Sequence, residues 1–206
     1  MDNDHSLENS RERLAELTEI ENMDREAVEY IGKEFRDPAH PERPLVSSET
    51  LEKMKDLPSQ FQTHEELAQA YSKETGKPAP EGLEGFTKGL EMPAQICSEH
   101  RQTINETIIH ERLHQASDPD ATSLLGHNLS EGVTQALTEK MQEGFSSGRF
   151  YSGETRTAKK LMNDAGDSAV EKFYFQNDAR ELKDALARDA QYDSRMEQFK
   201  RLKQKG

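Results

Sequence analysis

His110, Glu111 and His114 stand in the run His110-Glu111-Arg112-Leu113-His114, which reads HERLH and fits the pattern HExxH. On a helix, residues four apart share a face and lie about 5.4 Å apart along the axis. Both imidazoles can then reach one metal ion, and Glu111 can face a water beside it. Two His as ligands with a Glu as general base is the arrangement of zinc hydrolases. With 7 His in 206 residues, the pattern arises by chance in roughly a few of every hundred such chains. The alternative is a polar helix with two exposed His. The flanking residues argue against it. At about 100° per residue, Ile109 and Leu113 fall on one side of the His pair and Ile104 and Ile108 on the other. A helix apolar on both flanks is buried, and buried imidazoles need partners for their nitrogens.

A zinc site needs a third protein ligand and an open position. Three residues after His114 can supply it. Glu131 lies in a second helical stretch, Asn128 to Thr138, and would offer a carboxylate from a crossing helix. Asn128 and Glu131 also have the spacing of a capping box, which would turn the carboxylate onto the backbone instead. Asp120 fits a short-spacer site, whose sharp turn wants Gly where this chain has Ser117. Asp118 and Asp120 equally suit a turn and a cap. His127, just before the second helix, is the third candidate.

HERLH followed by SEGVTQALT resembles the gluzincin branch of zinc metallopeptidases. More narrowly, it is similar to small bacterial gluzincin-like domains attached to toxins and secreted effectors. The resemblance covers roughly residues 84 to 190. It implies Zn2+ held by His110, His114 and Glu131, with Glu111 activating water. It implies a minimal zincin-like fold, α+β and mostly helical, with a short strand or hairpin before the motif helix. It also implies a peptide bond in a protein or peptide substrate, and the role of an effector or toxin. Such proteins supply a Tyr or His that stabilises the oxyanion. Tyr151, in a Gly-bearing segment, is the first choice here, and a surface-loop Tyr is the competing reading. Tyr174 belongs with core packing. Ser130 stands where the family often has Asn. Thr134 and Gln135 occupy the neighbourhood where the family places an acid behind a ligand His.

The elements that must position these groups can be read in outline. Residues 1–45 read as a helical extension and linker, 46–194 as the zincin-like domain, and 195–206 as a polar tail that frays. Leu14, Leu17 and Ile20 mark one apolar stripe, and Val28, Ile31 and Phe35 a second. Pro38, Pro41 and Pro44 predict an irregular linker holding an exposed His40. Short helices are expected after Ser48 and after Thr63, the latter with Glu66 completing a capping box. Residues 84–97 predict a short hairpin or edge strand, which in the resembling family pairs with an extended peptide. Leu161, Val170, Phe173, Leu182 and Leu186 predict helices closing over the site, with a turn at Gly166-Asp167.

Composition limits the partners. The net charge of -13, from 40 acidic and 27 basic residues, disfavours nucleic acid and anionic membrane surfaces. No apolar run approaches a membrane span. The first residues, Met1 to Ser6, lack the basic start and apolar run of a secretion signal. A cytoplasmic site of synthesis is expected, with any export by a route independent of such a signal. The single Cys97 excludes an internal disulfide and reads as a small core residue. Two other classes stay open: an inactive zinc-binding interaction module, and a metal-free helical adaptor.

Overall fold

The computed structural model describes residues 2–142 and 152–187. Helix α1 (Asp2–Glu34) runs unbroken for 33 residues. Val28, Ile31 and Phe35 are buried, as their spacing predicts, and so is Ile20, but Leu14 is 66% exposed. Length explains the difference. A 33-residue helix is about 50 Å long, far longer than the 13-residue helix it packs on most, so its apolar stripe cannot be covered along its whole length.

The proline-rich segment is not irregular. It forms an antiparallel hairpin of β1 (Arg36–Asp37) and β2 (His40–Pro44). Asp37 Oδ1 accepts the Ala39 N–H at 3.0 Å and shapes the turn. Each strand of a two-stranded ribbon has a free edge, so a proline there costs no ladder bond. His40 is exposed, on a strand rather than in a loop.

Helix α2 (Ser48–Asp56) starts at Ser47, whose Oγ accepts the Thr50 N–H at 3.0 Å. Strand β3 (Gln60–Gln62) comes next. Helix α3 (His64–Thr75) has both halves of the expected Thr63–Glu66 capping box and ends on Gly76 at φ 69°. The expected hairpin is present as β4 (Gly85–Phe86) antiparallel to β5 (Gln95–Cys97). Strand β3 pairs with β5 in parallel, giving the order β3-β5-β4. Sequence pattern did not show β3, which is too short for a period to register.

Helix α4 (Ile104–Ala116) carries the HERLH motif, and helices α5 (Pro119–Leu125) and α6 (His127–Met141) come directly after it. Helices α7 (Ser152–Ala165), α8 (Asp167–Gln176) and α9 (Arg180–Ala187) complete the described chain. Of the described residues, 68% are helix and 9% strand, an α+β and mostly helical architecture. The five apolar residues expected in the last helices are all buried.

One hydrophobic cluster joins Val28, Ile31 and Phe35 to Ile108 and Leu113 of α4 and to Leu137 of α6. The segment read as an extension therefore packs on the motif helix. A buried ion pair fastens the two. Arg112, the first variable residue of HERLH, is 1% exposed and donates from Nε to Asp24 Oδ1 of α1 at 2.7 Å. Its other nitrogens reach Asp24 again, Met54 O at 3.2 Å, Leu57 O at 2.9 Å and Gln115 Oε1 at 2.7 Å. Ser59 Oγ donates to Asp24 Oδ1 at 2.6 Å. Every side of this buried pair is satisfied, as an interior charge requires. A smaller cluster, Leu67, Phe86 and Cys97, lies between α3 and the three-stranded sheet.

Candidate metal centre

Helix α4 is buried along almost its whole length, His110 and Glu111 included. Helix α6 crosses it and brings in Glu131. Three ligand-type atoms converge. His110 Nε2 lies 3.2 Å from Glu131 Oε2, His114 Nε2 lies 3.3 Å from the same oxygen, and the two nitrogens are 3.2 Å apart. A tetrahedral ion with bonds of about 2.0–2.1 Å has ligand atoms roughly 3.3–3.4 Å apart. The triangle matches one face of that tetrahedron. In the metal-free chain both imidazoles can hydrogen-bond that one carboxylate oxygen, and a cation at the centre of the triangle would instead take a lone pair from each of the three. The donor set therefore fits zinc.

The competing uses of Glu131 are not made. Helix α6 begins after Gly126, at φ 72°, with no side-chain cap, so Glu131 closes no capping box. Asp120 is exposed in the first turn of α5, where its N–H bonds the capping Asp118 Oδ1 at 2.9 Å. Ser117 has an ordinary extended backbone, φ -70°, so the sharp turn of a short-spacer site is absent. His127 is largely exposed and lies 3.6 Å from the other Glu131 oxygen, Oε1, outside the converging group. Tyr151 lies outside the described residues.

Electrostatics divide the two carboxylates. Burial pushes the Glu111 carboxyl up to about 7; His110 opposes this and Glu131 adds to it. Burial also raises Glu131, but the charges of His114 and His110 and their hydrogen bonds override it. They hold that carboxyl far below its ordinary range. One acid is thus poised near neutrality and the other is firmly ionised, the division expected of a base and a ligand.

Behind His114 stands a hydroxyl pair rather than an acid. Thr134 Oγ1 donates to Ser130 O at 2.9 Å. Its oxygen is then left to accept from Tyr174 OH at 2.6 Å and from His114 Nδ1–H at 3.4 Å. With Nδ1–H held there, a bound metal would take the place of the Nε2 proton that His114 shares with Glu131 in the metal-free chain. Tyr174 is fully buried, in keeping with its reading as core, yet it also orients the site. Gln135 Nε2 donates to Glu106 Oε1 at 2.8 Å, which puts an acid one turn before His110. Glu106 Oε2 is buried without a hydrogen-bond partner among the described residues.

Glu111, His114 and Glu131 line a cleft of about 1040 Å³ together with Gly85, Phe86 and Phe175. Strand β4 passes very close to the motif helix. A Cβ on Gly85 would lie 2.8 Å from Thr107 Cγ2 and 3.0 Å from Glu111 Cγ, so only glycine brings the strand to this depth. Gly132 plays the same part between α6 and α7, where a Cβ would run into the Glu154 backbone. No family model, curated protein or solved structure matches this chain.

Proposed function

We propose that the chain is a zinc metallopeptidase of the gluzincin type, hydrolysing a peptide bond in a protein or peptide substrate. The observation that carries this reading is the convergence of His110 Nε2, His114 Nε2 and Glu131 Oε2 at 3.2–3.3 Å beside a buried Glu111. Zinc, when bound by these three residues, would supply Lewis acidity toward water and toward the scissile carbonyl. Glu111 takes the proton from the attacking water and passes it to the leaving amine. Thr134 and Tyr174 hold the His114 ring in register. Strand β4 lies at the edge of its sheet and lines the cleft, so an extended peptide can add to it through backbone hydrogen bonds. Tyr151 is the proposed oxyanion donor. The role of a secreted effector or toxin rests on the motif resemblance alone.

Glu111→Gln tests the reading. Incubated with a peptide library and read by mass spectrometry, the zinc-loaded wild type cleaves, and the variant loses about 10²–10⁴-fold in rate while keeping its zinc. Equal cleavage by both proteins would reject Glu111 as the base. Absence of cleavage by the wild type would favour the inactive zinc-binding module.

A further inference from the structure

We propose a second zinc site, away from the HERLH centre, formed by His64, Cys97 and His100. One ligand atom from each of the three lies within 4.8 Å of the others. They come from two segments. His64 is the first residue of α3, and Cys97 and His100 bracket the turn leaving β5 in a C-x2-H spacing. Such a spacing wraps both side chains around one ion, and a histidine from elsewhere in the fold adds the third bond.

The two segments are pinned together independently of any ion. Ser98 N–H donates to Gln62 O at 2.8 Å, and Ser98 Oγ donates to the same oxygen at 3.0 Å. His64 N–H donates to Glu99 Oε2 at 2.9 Å. The backbone needed to present the three ligands is therefore already in place. Tetrahedral zinc with bonds of about 2.3 Å to sulfur and 2.0–2.1 Å to nitrogen needs sulfur–nitrogen separations near 3.6 Å. The two imidazoles are exposed and can close that distance by side-chain rotation.

Chemistry around the ligands agrees. A bound cation deprotonates a coordinated thiol outright. Glu84 Oε1 lies 3.7 Å from His100 Nδ1. Its other oxygen accepts the hydroxyls of Thr103 at 2.6 Å and Thr107 at 3.1 Å. With His100 bound through Nε2, this carboxylate would stand at ion-pair distance behind the ring, where zinc-bound histidines commonly take support. One thiolate and two imidazoles select a borderline-soft ion such as zinc over magnesium or calcium. The ion would clamp α3 onto the sheet whose β4 strand lines the cleft, and would staple the small Leu67, Phe86, Cys97 cluster.

Cobalt(II) titration of the full chain tests this. Because Cys97 is the single cysteine, a thiolate-to-cobalt charge-transfer band reports this site alone, whatever happens at HERLH. The band should saturate at one cobalt per chain in His114→Ala, and at up to two added per chain in the wild type, where the HERLH centre competes for cobalt, with the same band intensity in both. It should vanish in Cys97→Ala. Affinity should fall tenfold or more in His64→Ala and in His100→Ala, and about 10–100-fold in Glu84→Gln. Circular dichroism checks folding, which the exposed His64 and His100 do not control. No band in the wild type would overturn the proposal. So would a band of undiminished affinity in both histidine variants, which would mean cobalt on a bare thiol.

Discussion

Glu111 is a buried carboxyl whose protonation is opposed by His110 and favoured by everything else around it. This has a consequence for the metal-free chain. Its carboxyl moves from 4.5 in the unfolded reference to about 7 in the fold. A raised folded value means a contribution to stability that is complete below pH 4.5 and is lost as pH rises through 7. Glutamine at this position does not titrate. In chelator, Glu111→Gln should therefore gain on the wild type by on the order of 3 kcal/mol between pH 4.5 and pH 8, measured by urea unfolding. A pH-independent difference would refute the burial argument. Thr134 makes a separate prediction. Thr134→Val keeps the volume but removes the acceptor behind His114 Nδ1, and zinc affinity should fall about 10–100-fold in a chelator competition. The three candidate ligands and the candidate base are legible in the sequence because HExxH spacing is local and Glu131 lies in the next long helical stretch. Thr134 and Tyr174 were not legible as a pair. They are 40 residues apart, and nothing in either residue type signals that they share a hydrogen bond.

At the scale of elements, the motif helix is held from behind by α1. Arg112 occupies a variable position of HERLH, so the motif itself says nothing about it. Yet its guanidinium ties α4 to Asp24, Met54 and Leu57. Asp24→Ala leaves that charge buried and unpaired, and should cost about 3–5 kcal/mol in urea unfolding. Asp24→Ala combined with Arg112→Met should recover much of the loss. A loss below about 1 kcal/mol, the scale of an exposed pair, would contradict the network. Capped helices were the most readable elements. Thr63 and Glu66 announce α3 because the cap is written in nearby residues. The hairpin of β1 and β2 was hidden by its prolines, which exclude a central strand but not a ribbon with free edges. Strand β3 was hidden by its brevity. Leu14 is exposed despite its place in the stripe, because an apolar residue on a long helix is buried only where a partner extends beneath it.

For the molecule as a whole, the two crossing helices α4 and α6 meet at three ligand atoms beside a cleft. The small sheet brings an edge strand to that cleft, at a depth that only Gly85 permits. Among the described residues, no helix is long and apolar enough to cross a membrane. The long-range part of this assembly was the least legible in the sequence, since contacts between α1 and α4, or α6 and α7, leave only small signals such as Gly132. The most direct test of the central claim is the zinc content of the Cys97→Ala chain, by elemental mass spectrometry after reconstitution and dialysis. That background removes the thiolate of the second candidate site, so retained zinc that depends on His114 reports the HERLH centre. About one zinc per chain is expected, falling to none when His114→Ala is added. No zinc in the Cys97→Ala chain, or the same zinc in both, would contradict the account.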